Sequence, residues 1–135
     1  MLGLAVELDF GKNVILEGGI TLWEINHNHI IPERLGIDSI SDRSIKRFEF
    51  YFETEDIETV YERVKSSGTD LLHSLHEEPW GQRTVRFFDP DRHLIEIGES
   101  TETFVKRLHQ NNMTPEQVSQ KTSILLEKVQ EILGA

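Results

Sequence analysis

Three segments of the sequence alternate acidic, basic or aromatic side chains with apolar ones, a spacing that places every second residue on one face of a β-strand. If the apolar sets face a helix, the polar sets share the opposite face of one sheet. Two carboxylates beside a guanidinium and several aromatic rings could transfer a proton or bind a small polar molecule. The residues on this predicted face are Glu49, Tyr51, Gln82, Thr84, Arg86, Phe88, Leu94 and Glu96.

The elements that must position these residues follow the order β-α-β-β-β. Residues 47 to 53 alternate strictly, with three phenylalanines on the face opposite Glu49. A helix is predicted to begin after Asp56 and to end near Gly68, and its apolar stripe is expected to pack on the three phenylalanines. Further strands are predicted near residues 71–75, 83–88 and 93–97.

The segments on either side of this unit have a different character. Short apolar runs separated by glycines predict a three-strand meander over residues 4–10, 13–17 and 20–25. Residues 26–46 show no period of 2 or 3.6 and are interpreted as a linker. Beyond Ser100 the pattern is helical, with a capping box beginning at Thr114 and a last helix near residues 125–133.

Composition excludes several classes of function. The chain has 135 residues, a formal charge of -10 and no cysteine. Thiolate nucleophiles, thiolate metal sites and disulfides are therefore excluded. Nucleic acid and anionic membranes are disfavoured because the net charge repels phosphate, and a DNA-binding hairpin at residues 114–133 would carry more Glu than Lys. With no leader or apolar span of about 18 residues, a cytoplasmic protein is expected.

The residues from Pro79 to Glu99 carry the most specific motif. The sequence reads Pro-Trp-Gly-Gln-Arg at residues 79–83 and Phe-Phe-Asp-Pro-Asp-Arg-His-Leu-Ile-Glu-Ile-Gly-Glu at residues 87–99. It closely resembles the closing strands of the glyoxalase/bleomycin-resistance/dioxygenase superfamily, also called vicinal oxygen chelate proteins, which include lactoylglutathione lyase. Phe48 to Gly68 resembles the start of the same module, and residues 2–25 look like the last three strands of a preceding copy.

The resemblance implies an α+β fold, with a complete βαβββ module paired with a partial half-module of three strands, plus C-terminal helices. The expected organisation is one domain, divided into a partial first module at 1–25, a linker at 26–46, the complete module at 47–100 and a helical extension at 101–135. Arg92 stands where the family's turn usually has glycine, which implies either a turn with negative φ or modest strain.

The resemblance also implies two metal ligands that double as catalytic groups. Glu96 matches the position that commonly ligates a metal in the family, and Glu49 matches an opening-strand position that is often His. The alternatives are a structural ion pair between Glu96 and Arg86 and a solvated edge position for Glu49. Because a ligand from the first module is missing, a divalent ion such as Zn, Ni, Mn or Fe is expected to be weak or absent.

The resemblance is compatible with two functions from different classes. The first is a metal-dependent lyase or isomerase acting on a small oxygenated substrate, with Glu96 or Glu49 moving the proton. The second is a metal-free small-molecule-binding protein of the bleomycin-resistance type. The predicted binding residues are Tyr51, Trp80, Gln82, Arg86, Phe88 and Trp23. His27 and His29 in the linker could add ligands, although solvent exposure is the expected state of such a loop.

One further expectation concerns burial in the first three strands. Ile20 and Leu22 lie on a face that no helix of the same half-module covers. We expect the C-terminal segment to fold back onto this face, and the unpaired sheet edge to be closed by formation of a homodimer.

Overall fold

The computed structural model describes residues 3–24, 28–36 and 48–134. The chain divides into two compact units, Met1–Asp42 and Arg43–Ala135. The boundary lies within the predicted linker. Among the described residues, no helix is long and apolar enough to cross a membrane.

The first unit contains the predicted meander. Strands β1 (Val6–Asp9), β2 (Asn13–Leu16) and β3 (Ile20–Trp23) form an antiparallel sheet in the order β1-β2-β3. The turn between β2 and β3 contains Gly18 and Gly19, both at positive φ, a conformation that glycine adopts without the steric cost of a Cβ. The last residue of the predicted third strand, Ile25, lies outside the described residues.

The segment interpreted as a linker contains a short helix, which the sequence analysis did not foresee. Helix α1 (Ile30–Leu35) is capped by His29, whose Nδ1 accepts a hydrogen bond from the Ile31 amide at 3.2 Å. His29 is buried and its ring meets that of Trp23 edge-on at 4.6 Å. The expectation of a solvent-exposed His29 is therefore wrong, because capping and ring packing fix the side chain. His27 lies outside the described residues.

The second unit begins with the predicted β-α-β-β-β order. Strand β4 (Glu49–Thr54), helix α2 (Ile57–Ser66) and strands β5 (Leu71–Glu77), β6 (Arg83–Phe88) and β7 (Leu94–Glu99) follow one another. The sheet order is β4-β7-β6-β5, with β4 parallel to β7 and the other pairs antiparallel. The predicted α+β fold, with a βαβββ module and a separate sheet of three strands, is confirmed.

Local interactions explain where helix α2 begins and ends. Asp56 accepts a hydrogen bond from the Thr59 amide at 3.0 Å, as expected of an N-cap. The helix ends before Gly68, which adopts φ +72°. Ile57 is fully buried, and the helix packs on β5, β6 and β7. The helix therefore covers the centre of the sheet.

The phenylalanines of the first strand are not buried by this helix. Phe48, Phe50 and Phe52 are 56, 48 and 55% exposed. The expectation that α2 packs on them is wrong because β4 lies at the edge of the sheet, while α2 lies over the neighbouring strands. Phe48 and Phe50 instead meet the ring of His93 at 6.2 and 6.1 Å.

The turn between β6 and β7 shows which of the two expected backbone conformations Arg92 adopts. This residue adopts φ +65°, so the turn has the left-handed conformation that favours glycine, and the alternative with modest strain holds. The Arg92 guanidinium lies 4.1 Å from the centre of the Phe88 ring and forms an ion pair with Asp70. These contacts offset part of the backbone cost.

Three C-terminal helices complete the second unit: α3 (Thr101–Gln110), α4 (Pro115–Thr122) and α5 (Leu126–Leu133). The predicted capping box is present, with Thr114 and Gln117 bonding reciprocally at 3.3 and 2.8 Å. The helices enclose their own apolar core of Phe104, Val105, Leu108, Val118 and Val129.

This helical core contains several of the apolar residues that were expected to cover the first three strands. Leu125, another residue of that set, is exposed. The expected cover of the meander by the C-terminal segment stays a prediction.

Candidate functional site

The register of the second sheet brings the predicted site residues to one face. Arg86 pairs with Glu96 across β6 and β7, and Tyr51 lies beside Glu96 across β4 and β7. Because side chains alternate along each strand, residues two apart share this face. We call it the polar face; its members are Glu49, Tyr51, Glu53, Gln82, Thr84, Arg86, Glu96 and Gly98.

Arg86 is the centre of the polar face. It is fully buried, and its guanidinium contacts three carboxylates. Nε lies 2.9 Å from Glu49 Oε2, Nη1 lies 2.7 Å from Glu78 Oε1, and Nη2 lies 2.8 Å from Glu96 Oε2. The last contact is ionic, since Nη2 has no aligned hydrogen-bond acceptor among the described residues. Glu49 and Glu96 are thus linked through Arg86. The contact between Glu96 and Arg86 is the ion pair that the sequence offered as the alternative to a metal site.

Two of the groups around Arg86 come from β5 and the loop that follows it. Glu78 is fully buried, and its Oε1 also accepts a hydrogen bond from Thr84 Oγ1 at 3.2 Å. His73 Nδ1 lies 2.7 Å from the Ser74 carbonyl oxygen and must donate to it, which leaves the lone pair on Nε2. That Nε2 lies 3.3 Å from Arg86 Nη1. Neither residue was identified in the sequence.

The reason that sequence reasoning missed Glu78 and His73 is the irregular register of β5. The pairing of β5 with β6 shifts between Leu71 and His73 and again between His73 and His76. A shift of one residue moves side chains to the other face, so strict alternation does not predict which β5 residues reach Arg86. No pattern in the sequence marked these two residues as buried.

Excess negative charge and burial shift the protonation equilibria of this cluster. Burial raises the pKa of Glu96 well above its usual value; Arg86 opposes the shift, and the nearby Glu49 and Glu78 carboxylates add to it. For Arg86 burial acts to lower the pKa, but Glu96, Glu49 and Glu78 outweigh it and raise the pKa above the ordinary value. Burial lowers the pKa of His73 to about 4. The cluster therefore combines a guanidinium cation with an imidazole whose pKa is lowered and a carboxyl group whose pKa is raised.

The residues around Arg86 do not fit a bound metal ion as they are arranged. Among the residues that the structure describes, no three His, Asp or Glu side chains are grouped so that they could hold one. The guanidinium stands between Glu49, Glu78 and Glu96, and its charge would repel a divalent cation placed against it. The predicted metal-ligand role of Glu49 and Glu96 stays a prediction.

A second network on the polar face connects three of the predicted binding residues. Gln82 Nε2 donates to the Tyr51 hydroxyl at 2.8 Å, and Trp80 Nε1 donates to Gln82 Oε1 at 3.2 Å. The Tyr51 hydroxyl in turn donates to Glu53 Oε1 at 3.0 Å. Burial and the Glu53 carboxylate raise the pKa of Tyr51. Because 44% of Tyr51 is exposed, this ring can contact a ligand.

The predicted binding residue Phe88 lies apart from this network. Phe88 is at the far end of β6, where its ring packs against Arg92. Trp23 belongs to the first unit, in contact with His29. Binding roles for both stay predictions.

A second buried ion cluster, missed by the sequence analysis, anchors the helices to the sheet. Glu99 is fully buried and accepts hydrogen bonds from Arg83 Nε at 2.9 Å and from Arg107 Nη2 at 2.7 Å. Arg107 also donates to the Gly81 carbonyl at 2.6 Å. These bonds to two arginines lower the pKa of Glu99 despite its burial. A single carboxylate thus ties β6, β7 and α3 together.

A surface depression lies along helix α2. It has a volume of about 470 Å³ and is lined by Glu58, Thr59, Glu62, Arg63 and Ser66. These residues form the exposed side of the helix and include no convergent set of buried polar groups. We therefore place the candidate site on the polar face.

Comparison with known proteins relates the chain to several others. FosX, a fosfomycin resistance protein of Listeria monocytogenes, is 28% identical over 74 residues, which are 54% of this chain and 56% of FosX. The chain thus spans about half the length of this curated relative. A solved protein of unknown function from Agrobacterium tumefaciens is 35% identical, with coverage of 73% of this chain and 76% of that chain and a TM-score of 0.39. A glyoxalase/bleomycin resistance protein/dioxygenase superfamily member from Vibrio splendidus is 20% identical, with coverage of 73% and 80% and a TM-score of 0.49.

The family profile is the most extensive of these matches. The profile of the glyoxalase-like domain matches residues 1–102, which include both sheets. The match agrees with the resemblance that residues 79–99 carry. The chain belongs to the glyoxalase-like domain family.

Proposed function

We propose that this chain is a small-molecule-binding protein that holds its ligand on the polar face without a metal ion. The observation that supports this function is the position of Arg86, fully buried among Glu49, Glu78 and Glu96. The cluster contains its own cation, so the carboxylates are held in place without an added one. The face can then serve as a preformed binding surface.

The charge of the polar face indicates the chemical class of the ligand. Three carboxyl groups of the polar face, those of Glu49, Glu53 and Glu96, and the adjoining Glu78 accompany the single guanidinium of Arg86. Acceptors therefore outnumber donors. A ligand with an ammonium or amidinium group would complement this surplus, and an aromatic body would pack on Tyr51.

The contact point for the basic group is the edge of the face on β4. The Glu49 side chain keeps 18% of its surface exposed while it binds Arg86, and Glu53 is exposed. Tyr51 lies between them on the same face. A basic aromatic ligand can thus reach both carboxylates and the ring without displacing the buried part of the cluster.

Binding of matched ligands tests this function. The full chain in excess chelator is titrated with an arylalkylamine and with the arylalkanoic acid of the same size, and the melting temperature is recorded. We expect the amine alone to stabilise the protein, with a dissociation constant of about 1 mM for a ligand of about ten non-hydrogen atoms. Glu49→Gln should weaken binding, whereas Glu62→Gln, on the exposed surface of α2, should not.

A metal-dependent lyase or isomerase acting on a small oxygenated substrate is the second candidate. The observation in its favour is the raised pKa of Glu96 beside Glu49, since one group can hold a proton that the other accepts. In this function Glu96 and Glu49 would be the catalytic groups. Chelator-resistant, stoichiometric metal in the purified protein would favour it over metal-free binding.

We also propose that the chain forms a homodimer through β4. Strand β4 is at the edge of its sheet, and Phe48, Phe50 and Phe52 leave about half of their surfaces exposed. An edge strand with exposed aromatic side chains favours pairing with another chain. Light scattering during size exclusion should give twice the chain mass, and Phe50→Lys should give the monomer mass.

A further inference from the structure

We infer that the Arg86 guanidinium replaces a divalent cation at the centre of the polar face, and that removal of its charge would create a metal site from Glu49, Glu78 and Glu96. The inference rests on the metal-free state proposed above. It assigns to Arg86 the role of an internal counter-ion that excludes the metal.

Acceptors from different parts of the chain converge on one cation. Glu49 comes from β4, Glu96 from β7 and Glu78 from the loop after β5, and each contacts a different nitrogen of the guanidinium at 2.7 to 2.9 Å. Glu78 and Arg86 are fully buried, and the Glu96 side chain is nearly so. Buried carboxylates arranged around a cation are the acceptors that a divalent metal also requires.

The imidazole of His73 adds a nitrogen atom to this group of acceptors. Its Nδ1 is engaged by the Ser74 carbonyl, and its Nε2 lone pair lies 3.3 Å from Arg86 Nη1. A neutral histidine whose other ring nitrogen donates to a backbone carbonyl has the form that metal-binding histidines adopt. The group around Arg86 therefore contains nitrogen as well as oxygen donors.

Distances explain why the present arrangement excludes a metal. Metal-to-ligand distances are about 2.0–2.6 Å, and the ligands must surround one point. Here the acceptors surround a guanidinium, which is wider than an ion, so they stand too far from any common point; no metal-binding group of three is found among the described residues. Loss of the guanidinium would vacate the space into which the flexible Glu side chains can move.

In a variant without the Arg86 charge, the unpaired carboxylates would favour binding of a metal ion. Without Arg86, the carboxylates of Glu49, Glu78 and Glu96 would lack their shared counter-ion, and burial of unpaired carboxylates is unfavourable. Protonation or capture of a cation would relieve that cost. Manganese and zinc ions suit a mixed set of carboxylates and imidazole.

The test is a gain of metal binding in Arg86→Gln, with Arg86→Lys as the matched control that keeps the charge. Equilibrium dialysis of the full chain with Mn²⁺ or Zn²⁺ measures occupancy, and the melting temperature is recorded with metal and with chelator. We expect Arg86→Gln to bind one ion per chain, about tenfold or more tightly than the wild type and Arg86→Lys, and to melt higher with metal. Adding Glu96→Gln to Arg86→Gln should remove the gain.

Failure of the variant to fold would not leave the inference untested. If Arg86→Gln is unfolded in chelator, refolding with Mn²⁺ should recover the native circular dichroism spectrum, as it does for proteins whose folding is coupled to metal binding. A variant that stays unfolded with the metal, or that folds and binds no more metal than the wild type, overturns the inference. The proposed ligand binding is judged separately, by the amine titration of the wild type in chelator.

Discussion

Gln82 and Tyr51 are joined by a hydrogen bond of 2.8 Å that crosses strand β7 above Gly98. The two residues lie 31 positions apart in the sequence, on β4 and just before β6. A Cβ on Gly98 would lie 2.8 Å from Gln82 Nε2 and 3.1 Å from Tyr51 Cε2. The glycine thus leaves the space in which this part of the polar face is assembled.

Gly98→Ala is expected to lower the free energy of unfolding by about 1–3 kcal/mol, because the added methyl group must displace a side chain that is held by several hydrogen bonds. Gln82 Nε2 also donates to the Glu99 carbonyl at 2.7 Å, so it cannot move freely. Urea denaturation measures the change. In a Gln82→Ala background the cost of Gly98→Ala should shrink; equal costs in both backgrounds would show that Gln82 is not the obstacle.

Glu99→Gln is expected to destabilise the chain by about 3–5 kcal/mol, since it leaves the guanidinium groups of Arg83 and Arg107 without their shared carboxylate. Thermal and urea denaturation measure the loss. Glu102→Gln is the matched control on α3: its carboxylate is exposed and pairs only with Lys106 in the described contacts, so the change should have little effect on stability. Similar losses for the two variants would remove the anchoring role from Glu99.

His73→Asn is expected to reduce the loss of stability that the protein shows as the pH falls below neutral. Because the folded-state pKa of His73 is lowered to about 4, the folded chain favours the neutral ring. Its contribution is complete above the unfolded pKa of about 6.5 and is lost as the pH falls toward 4. Relative to pH 8, the wild type should therefore lose about 1–3 kcal/mol more than the variant at pH 4. Parallel profiles from urea denaturation would contradict the burial of a neutral His73.

Glu96→Gln is expected to change stability with pH in the opposite sense. The folded-state pKa of Glu96 is raised, so the contribution from its protonated form is complete below the unfolded value of about 4.5 and is lost as the pH rises through the folded value. Glutamine mimics the protonated form and should be spared that loss. The variant should gain on the wild type between pH 5 and pH 8 in urea denaturation. Exposed Glu53→Gln is the control, and a constant difference for Glu96→Gln across this range would argue against a raised pKa.

The same Glu96→Gln substitution also addresses the metal hypothesis. A pocket carboxylate seldom contributes net stability, so the fold should be retained while any metal binding through Glu96 is abolished. Loss of folding in this variant would favour the purely structural role of the ion pair with Arg86.

The strands and the polar face could be predicted because alternation has a period of two, which needs no knowledge of neighbouring strands. Glu49, Arg86 and Glu96 were placed together on this basis, and the structure joins them through one guanidinium. The motif at residues 79–99 likewise predicted the family to which the chain belongs.

Features that depend on strand order or irregular register could not be read from the sequence. The exposure of the phenylalanines follows from the edge position of β4, and the participation of His73 and Glu78 follows from the shifted pairing of β5. Helix α1 was not predicted, because a stretch of six residues that includes Pro32 and is followed by Gly36 has the composition of a turn. Each of these outcomes is set by tertiary contacts.

The most direct test of metal-free binding on the polar face is an amide chemical-shift titration of the full, ¹⁵N-labelled chain with the arylalkylamine in excess chelator. We predict that the largest shifts fall in residues 49–54, 82–86 and 94–99, which form the polar face and its neighbours. Shifts concentrated on α2 or on the C-terminal helices, or shifts that appear only when a divalent metal replaces the chelator, would contradict the account.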